Sequence, residues 1–206
     1  MNDSAQKCET TLAARARATC RGARPPLAAS LLLAASLGIV AFSLTGCAKG
    51  TYRGPIMDPP AEKVVVLEVE GPYGEEFTDL LATALAGECG KDCVILRATE
   101  VPGLKNLDRS YNVASIVRDL GAQAYVTGRI TRSEQVHSND YYVMGNFQIN
   151  DPVREGTVGG MDDARCVGRR DFGAGKDGPL EPSDAQKVHV ELARYVACRL
   201  ARGLGH

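Results

Sequence analysis

The chain has 206 residues, 44% apolar and 24% charged, the composition of an ordinary globular protein and not of a disordered or collagen-like one. At roughly 100 to 200 residues per domain it holds one domain with an appendage, or two small ones. With 24 Lys+Arg against 25 Asp+Glu the net charge is −1, so there is no chain-wide basic field to hold nucleic acid.

From Leu27 to Leu44 the chain reads LAASLLLAASLGIVAFSL, uncharged throughout and preceded by Arg15, Arg17, Arg21 and Arg24. A basic stretch before an apolar one is a membrane-targeting pattern. The apolar run is at the lower edge of a spanning helix and long for a signal-peptide core, so its length leaves the choice open. The next residues decide it. Leu44-Thr45-Gly46-Cys47 resembles the lipobox of bacterial lipoproteins, which implies cleavage before Cys47 and a thioether from Cys47 to diacylglycerol, with further acylation such as palmitate. Thr45 and Gly46 are small enough for a narrow protease site, and a thiol is the side chain that a lipid transferase can alkylate. Lipidation turns a spanning segment into an anchor, and each buried methylene adds about 0.8 kcal/mol of membrane affinity. Residues 1–46 are therefore expected to be a lipoprotein signal peptide. The mature chain carries 19 Lys+Arg against 23 Asp+Glu, a net charge of about −4. Ala48, where an Asp would mark inner-membrane retention, implies the outer membrane of a Gram-negative cell, with the domain facing the periplasm.

Seven cysteines are present: Cys8 and Cys20 fall in the leader and Cys47 takes lipid, which leaves Cys89, Cys93, Cys166 and Cys198. An even number in an oxidising compartment reads as disulfides. The expected pairs are Cys89 with Cys93 across a tight turn, and Cys166 with Cys198 between a strand and the last helix. Cys89-x-x-x-Cys93 also has zinc-ligand spacing, but no second close Cys or His pair accompanies it, so no metal and no cofactor are expected.

Residues 47–62, the lipidated cysteine and a stretch with three prolines and two glycines, read as a short tether of at most about 50 Å. Residues 63–206 form the expected domain. Val64 to Glu70 is a β-branched run, continuous and then alternating, as in a strand buried on both faces near its start. Phe77, Leu80, Leu81, Ala84 and Leu85 lie on one helical face, closed by Gly87. Cys93–Ala98 is a second strand. Val113, Ile116, Val117 and Leu120 form a second helical stripe that stops at Gly121, and Ala124–Ile130 is a third strand. Tyr141–Asn150 and Ala164–Arg170 are two more, joined across the Gly- and Asp-rich stretch 151–163 as a hairpin. Pro182, Ser183 and Gln186 signal a last helix with Val188, Leu192, Tyr195, Val196 and Leu200 on its apolar face. The expected fold class is α/β, a single mixed-sheet domain built as βαβαβ, then a β-hairpin and a C-terminal helix.

The motifs for chemistry fail on context. Gly173-Ala-Gly175-Lys-Asp-Gly178 fits G-x-G-x-x-G, but Pro179 and Pro182 follow where a helix must open on a pyrophosphate. Arg170 and Asp177 stand where a P-loop needs Gly and Ser or Thr, so no nucleotide is expected. His137, His189 and His206 are scattered and match no hydrolase or zincin arrangement. Asp151, Glu155, Asp162 and Asp163 lack EF-hand spacing. No catalytic residue is expected.

Val64-Val-Val-Leu-Glu-Val-Glu-Gly71, the helix after it, and Leu120-Gly121-Ala122 with Val126-Thr127-Gly128 resemble the envelope domains of the TolB amino-terminal, CsgG and LpoB-like type. Gln123 stands where that pattern has Asp. The resemblance spans about residues 63–200 and implies a non-catalytic lipoprotein module that docks onto a cell-envelope machine for peptidoglycan synthesis, secretion or surface assembly. The chain lacks a segment for transmembrane hairpins and a propeller, and its tether is shorter than the linkers of LpoB-like activators. The other expectation is a periplasmic ligand binder or enzyme, which would need a deep pocket with convergent polar groups. The residues expected to carry docking are Arg129, Arg132, Tyr141, Tyr142 and Phe147, since aromatics and Arg dominate interface hot spots. The expected partners are the bilayer, through Cys47, and an envelope protein complex.

Overall fold

The computed structural model describes residues 46–47, 50–104, 113–137, 140–169 and 182–206. The apolar leader, Ala48 and the Gly173–Gly178 run lie outside the described residues. The elements are β1 (Gly46–Cys47), β2 (Lys63–Val66), α1 (Gly74–Cys89), β3 (Val94–Arg97), α2 (Val113–Asp119), β4 (Ala124–His137), β5 (Asp140–Asp151), β6 (Gly156–Arg169) and α3 (Pro182–Gly203). One mixed sheet runs β1-β6-β5-β4-β2-β3. β2 lies parallel to β3 and β4, while β4, β5 and β6 form an antiparallel meander. This is the α/β architecture read from the sequence.

Two apolar clusters hold it. On one face, α1 and α3 bury Phe77, Leu81, Leu85, Leu192, Val196 and Leu200 against Val64, Val66, Val126, Phe147 and Ile149. On the other, Val117 and its helix close over Val65, Ala98 and Ala122. β2 feeds both clusters from successive valines, all fully buried, which explains its continuous apolar run.

Gly71, in the motif after β2, has φ 96°, and a Cβ there would run into the Ile130 carbonyl oxygen. Only glycine lets the chain leave β2 so close to β4. Gln123 donates its backbone N–H to the Lys63 carbonyl (3.0 Å) and accepts the Lys63 N–H on Oε1 (2.8 Å). The Lys63 ammonium donates to the Leu120 carbonyl (3.0 Å) at the end of α2.

Boundaries differ from expectation: β2 ends at Val66 and β4 runs on to His137. α1 runs through Gly87 to Cys89, because the turning residue is Gly90, at φ 76°. Continuing the helix places Cys89 four residues after Leu85 on the buried face. Residues 151–163 are not one loop: β6 starts at Gly156 and pairs with β5 through register shifts, leaving a tight turn in which Asp151 Oδ1 accepts the N–H groups of Val153 (2.7 Å) and Arg154 (3.1 Å). The expected tether is bound to the domain instead. Arg53 pairs with Gly160, Met57 N–H donates to the Gly203 carbonyl, Ala61 N–H to the Leu204 carbonyl, and Tyr195 donates its hydroxyl to the Gly50 carbonyl. A proline-rich segment still has backbone groups to satisfy, and it meets them on the sheet edge and the end of α3.

Candidate functional site

Side chains alternate across a strand, and β5 shows what that does to the expected docking residues. Tyr141, Val143, Gly145, Phe147 and Ile149 point into the helix-covered core, while Tyr142, Met144, Asn146 and Gln148 point the other way. Phe147 is fully buried and stacks on Phe77 with ring centroids 5.5 Å apart. Tyr141 is 8% exposed. Neither belongs to a docking surface, a correction that follows from odd and even positions facing opposite sides.

Arg129, Arg132 and Tyr142 do share a face. A register shift between Ile130 and Arg132 restores Arg132 to the side of Arg129 and sets it opposite Met144. Its guanidinium lies 5.8 Å from the Tyr142 ring centroid and pairs with Glu134. Arg165 on β6 donates to the Tyr142 hydroxyl at 3.3 Å, and Arg129 pairs with Glu70 at 3.7 Å. Tyr142 is thus bracketed by two guanidiniums. Among the described residues, neither apolar cluster extends over this half of the sheet, so the face presents one aromatic ring between Arg132 and Arg165, with Arg129 further along the same face.

Behind it, on the core side, is a polar network that the sequence did not reveal. His189, 4% exposed, sits among Tyr73, Phe77 and Tyr141, at ring-centroid distances of 5.0, 6.3 and 5.9 Å. Burial holds its pKa below the usual value, so the ring is neutral. The Ala185 carbonyl lies 2.9 Å from Nδ1 and can only accept, which puts the proton on Nδ1 and leaves Nε2 to accept the Ser133 hydroxyl at 3.0 Å. Ser133 in turn lies 2.7 Å from the Tyr141 hydroxyl. A serine hydrogen-bonded to a neutral imidazole is a nucleophile-and-base pair in outline. None of these residues lines the cleft described next.

That cleft, about 350 Å³, opens at the carboxyl end of β2 and is lined by Leu67, Val69, Gly71, Ala98, Leu104 and Val113 among others. It lies where ligands bind in open α/β sheets. Its polar rim is acidic, from Glu68, Glu70 and Glu75.

The thiols depart from the expected pairings. β1 lies antiparallel to β6 with Cys47 opposite Cys166, and the two are disulfide-bonded with their Cα atoms 4.1 Å apart. Neighbouring strands supply that proximity directly, so Cys166 does not pair with Cys198, which is disulfide-bonded elsewhere. Cys89 and Cys93 are buried free thiols in hydrogen-bond contact, both with pKa values raised by burial. A ring nitrogen of His206 joins them.

No family model matches the chain, and no curated protein matches it. Solved structures similar to it include a PelC dodecamer of Paraburkholderia phytofirmans, at 18% identity and TM-score 0.45 over 73% of this chain and 96% of that one. The hypothetical protein CT253 of Chlamydia trachomatis is similar at 11% identity and TM-score 0.47, over 69% and 96%. The lipoprotein GNA1162 of Neisseria meningitidis is similar at 10% identity and TM-score 0.39, over 65% and 96%. At TM-scores below 0.5 these likenesses carry no argument here.

Proposed function

We propose that the chain is a bacterial envelope lipoprotein, anchored through acylated Cys47 to the periplasmic side of the outer membrane, that works as a non-catalytic docking module. The observation that carries the reading is one sheet half that no described helix covers, with Arg132 and Arg165 bracketing Tyr142 and Arg129 further along the same face, on the same β4–β5–β6 meander whose edge meets Cys47. Arginines bracketing an aromatic ring suit an acidic patch on another envelope protein. No helix among the described residues is long and apolar enough to cross a membrane.

Anchoring has a geometric consequence. Residues 50–61 are strapped to the domain, so an acyl chain on Cys47 brings the β6 edge against the bilayer and leaves little reach across the periplasm. The partner must itself come to the outer membrane. Acylation also excludes the Cys47–Cys166 bond, since one sulfur cannot serve both, and Cys166 then becomes a buried thiol.

The test is a photocrosslinking residue placed at Gln148 on the open face or at Arg194 on the outer side of α3, both exposed. An adduct from position 148 that Arg129→Glu with Arg132→Glu abolishes, with none from 194, supports docking by this face. Equal adducts from both positions, or none from 148, overturns it.

A further inference from the structure

Cys89, Cys93 and His206 converge where the amino ends of β2 and β3 meet the end of α3. Cys89 is the last residue of α1. The chain turns through Gly90–Asp92 in a single 3₁₀ turn, and Cys93 follows just before β3. Both cysteines are 6% exposed and belong to the main apolar cluster. One donor atom from each, with a ring nitrogen of His206, all lie within 4.8 Å of one another, the one such group among the described residues.

His206 is held in place. Its backbone N–H donates to the Ala201 carbonyl at 2.9 Å, and two residues earlier Leu204 is fixed from both sides, donating to Leu200 and accepting from Ala61. Its ring Nε2 lies 2.9 Å from the Ala61 carbonyl oxygen. A carbonyl accepts only, so Nε2 carries the proton and Nδ1 keeps its lone pair. Fixing a histidine tautomer by a backbone carbonyl is what outer hydrogen bonds do for metal-binding imidazoles.

The geometry points to a site for a soft divalent cation of the zinc class, held by the thiolates of Cys89 and Cys93 and the imidazole of His206. With metal–sulfur bonds of about 2.3 Å and metal–nitrogen bonds of about 2.0 Å, ligand atoms of a tetrahedral site stand roughly 3.5 to 3.8 Å apart, so the three donors need close by only about 1 Å. Small side-chain rotations of the two cysteines and of the exposed His206 ring, with the backbone of His206 held, supply that movement. A Cys89–Cys93 disulfide would use two of the three donors and compete with the cation. Three protein ligands leave a fourth position for water or an incoming group, and metal binding would staple α1, β3 and the segment after α3 together. Sequence spacing showed only the two cysteines, because the third donor comes from the far end of the sequence and is delivered by folding.

The test uses the full chain recovered from membranes in detergent, reduced and freed of metal, then titrated with Co²⁺ alone. One equivalent should bring up thiolate-to-cobalt charge-transfer bands and intense tetrahedral d–d bands, both erased by Zn²⁺. Cys89→Ser should lose the charge-transfer intensity. His206→Ala removes an exposed ring and one hydrogen bond to Ala61, and should leave the far-ultraviolet circular dichroism of wild type while binding about tenfold or more weakly, as losses around metal sites do. The proposal is overturned by absence of the bands, by His206→Ala binding as tightly as wild type, or by a Cys89–Cys93 disulfide in protein alkylated at the moment of extraction.

Discussion

Gly128 closes the Val126-Thr127-Gly128 motif, and the reason for a glycine there is the Phe147 ring across the strand pair. A Cβ added at Gly128 would lie 2.6 and 2.9 Å from Phe147 Cδ1 and Cε1, and 3.2 Å from Val69 Cγ2. Carbon atoms prefer about 3.5 to 4.0 Å, so the ring must retreat by about 1 Å. It has nowhere to go. Its far edge covers Gly145, where an added Cβ would meet Cε2 and Cζ at 3.0 Å, and its face stacks on the fully buried Phe77. Gly128→Ala should therefore cost about 1 to 3 kcal/mol by overpacking. Urea unfolding of the wild type and of Gly128→Ala, followed by circular dichroism, measures this directly. Phe147→Leu is destabilising alone, but it should offset part of the Gly128→Ala cost, so the double variant loses less than the sum. Gly87→Ala is the control: it lies in the last turn of α1, no described atom beyond its own turn lies within 4 Å of the added Cβ, and the substitution should be neutral or add up to about 1 kcal/mol. A neutral Gly128→Ala, or strictly additive effects with Phe147→Leu, would refute the clamp.

Other outcomes follow from the anchor, the buried imidazole and the strap. Mass spectrometry of membrane-extracted protein should find Cys47 acylated and Cys166 open to alkylation after unfolding without reductant; a Cys47–Cys166 disulfide in that material overturns the lipidation reading. In unprocessed chain the bond spans 119 residues and should contribute about 5 kcal/mol by loop entropy, a stabilisation that Cys166→Ser should remove from that form and not from the acylated one. Because burial depresses the His189 pKa, the unfolded chain takes up a proton first as pH falls below about 6.5, so stability should be full above that pH and decline down to the folded pKa. Chemical denaturation from pH 7.5 to 4.5 should show that decline, and His189→Gln should flatten it. Gly203→Ala should push Tyr52 from its seat against α3 and make residues 50–61 more sensitive to limited proteolysis than in wild type.

Helices were legible because their evidence is local. Val188, Leu192, Val196 and Leu200 repeat at helical spacing and all are buried, as are Phe77, Leu81 and Leu85. Strand extent was not legible in β6, where Gly156 to Asp163 carries few β-formers and is extended because β5 offers it a ladder. The docking residues show the same limit at finer grain. Tyr141 and Tyr142 are neighbours of one type, and only the register of β5 sends the first into the core and the second onto the open face. His189 and Ser133 carried no signal at all, since their contact depends on α3 crossing the sheet at that height.

Composition, the uncharged leader, the Leu44–Cys47 motif and the alternating strand and helix periods determined the fold class and the expected anchor, because each is written in adjacent residues or in one repeat. Tertiary structure decided which sulfur meets which, which face of the meander α1 and α3 cover, and that the Pro-rich segment lies on the domain. Those are questions of register and of contacts between distant positions. A single residue of register reverses a strand's two faces, and a strand pairing unseen in the spacing brings Cys47 to Cys166.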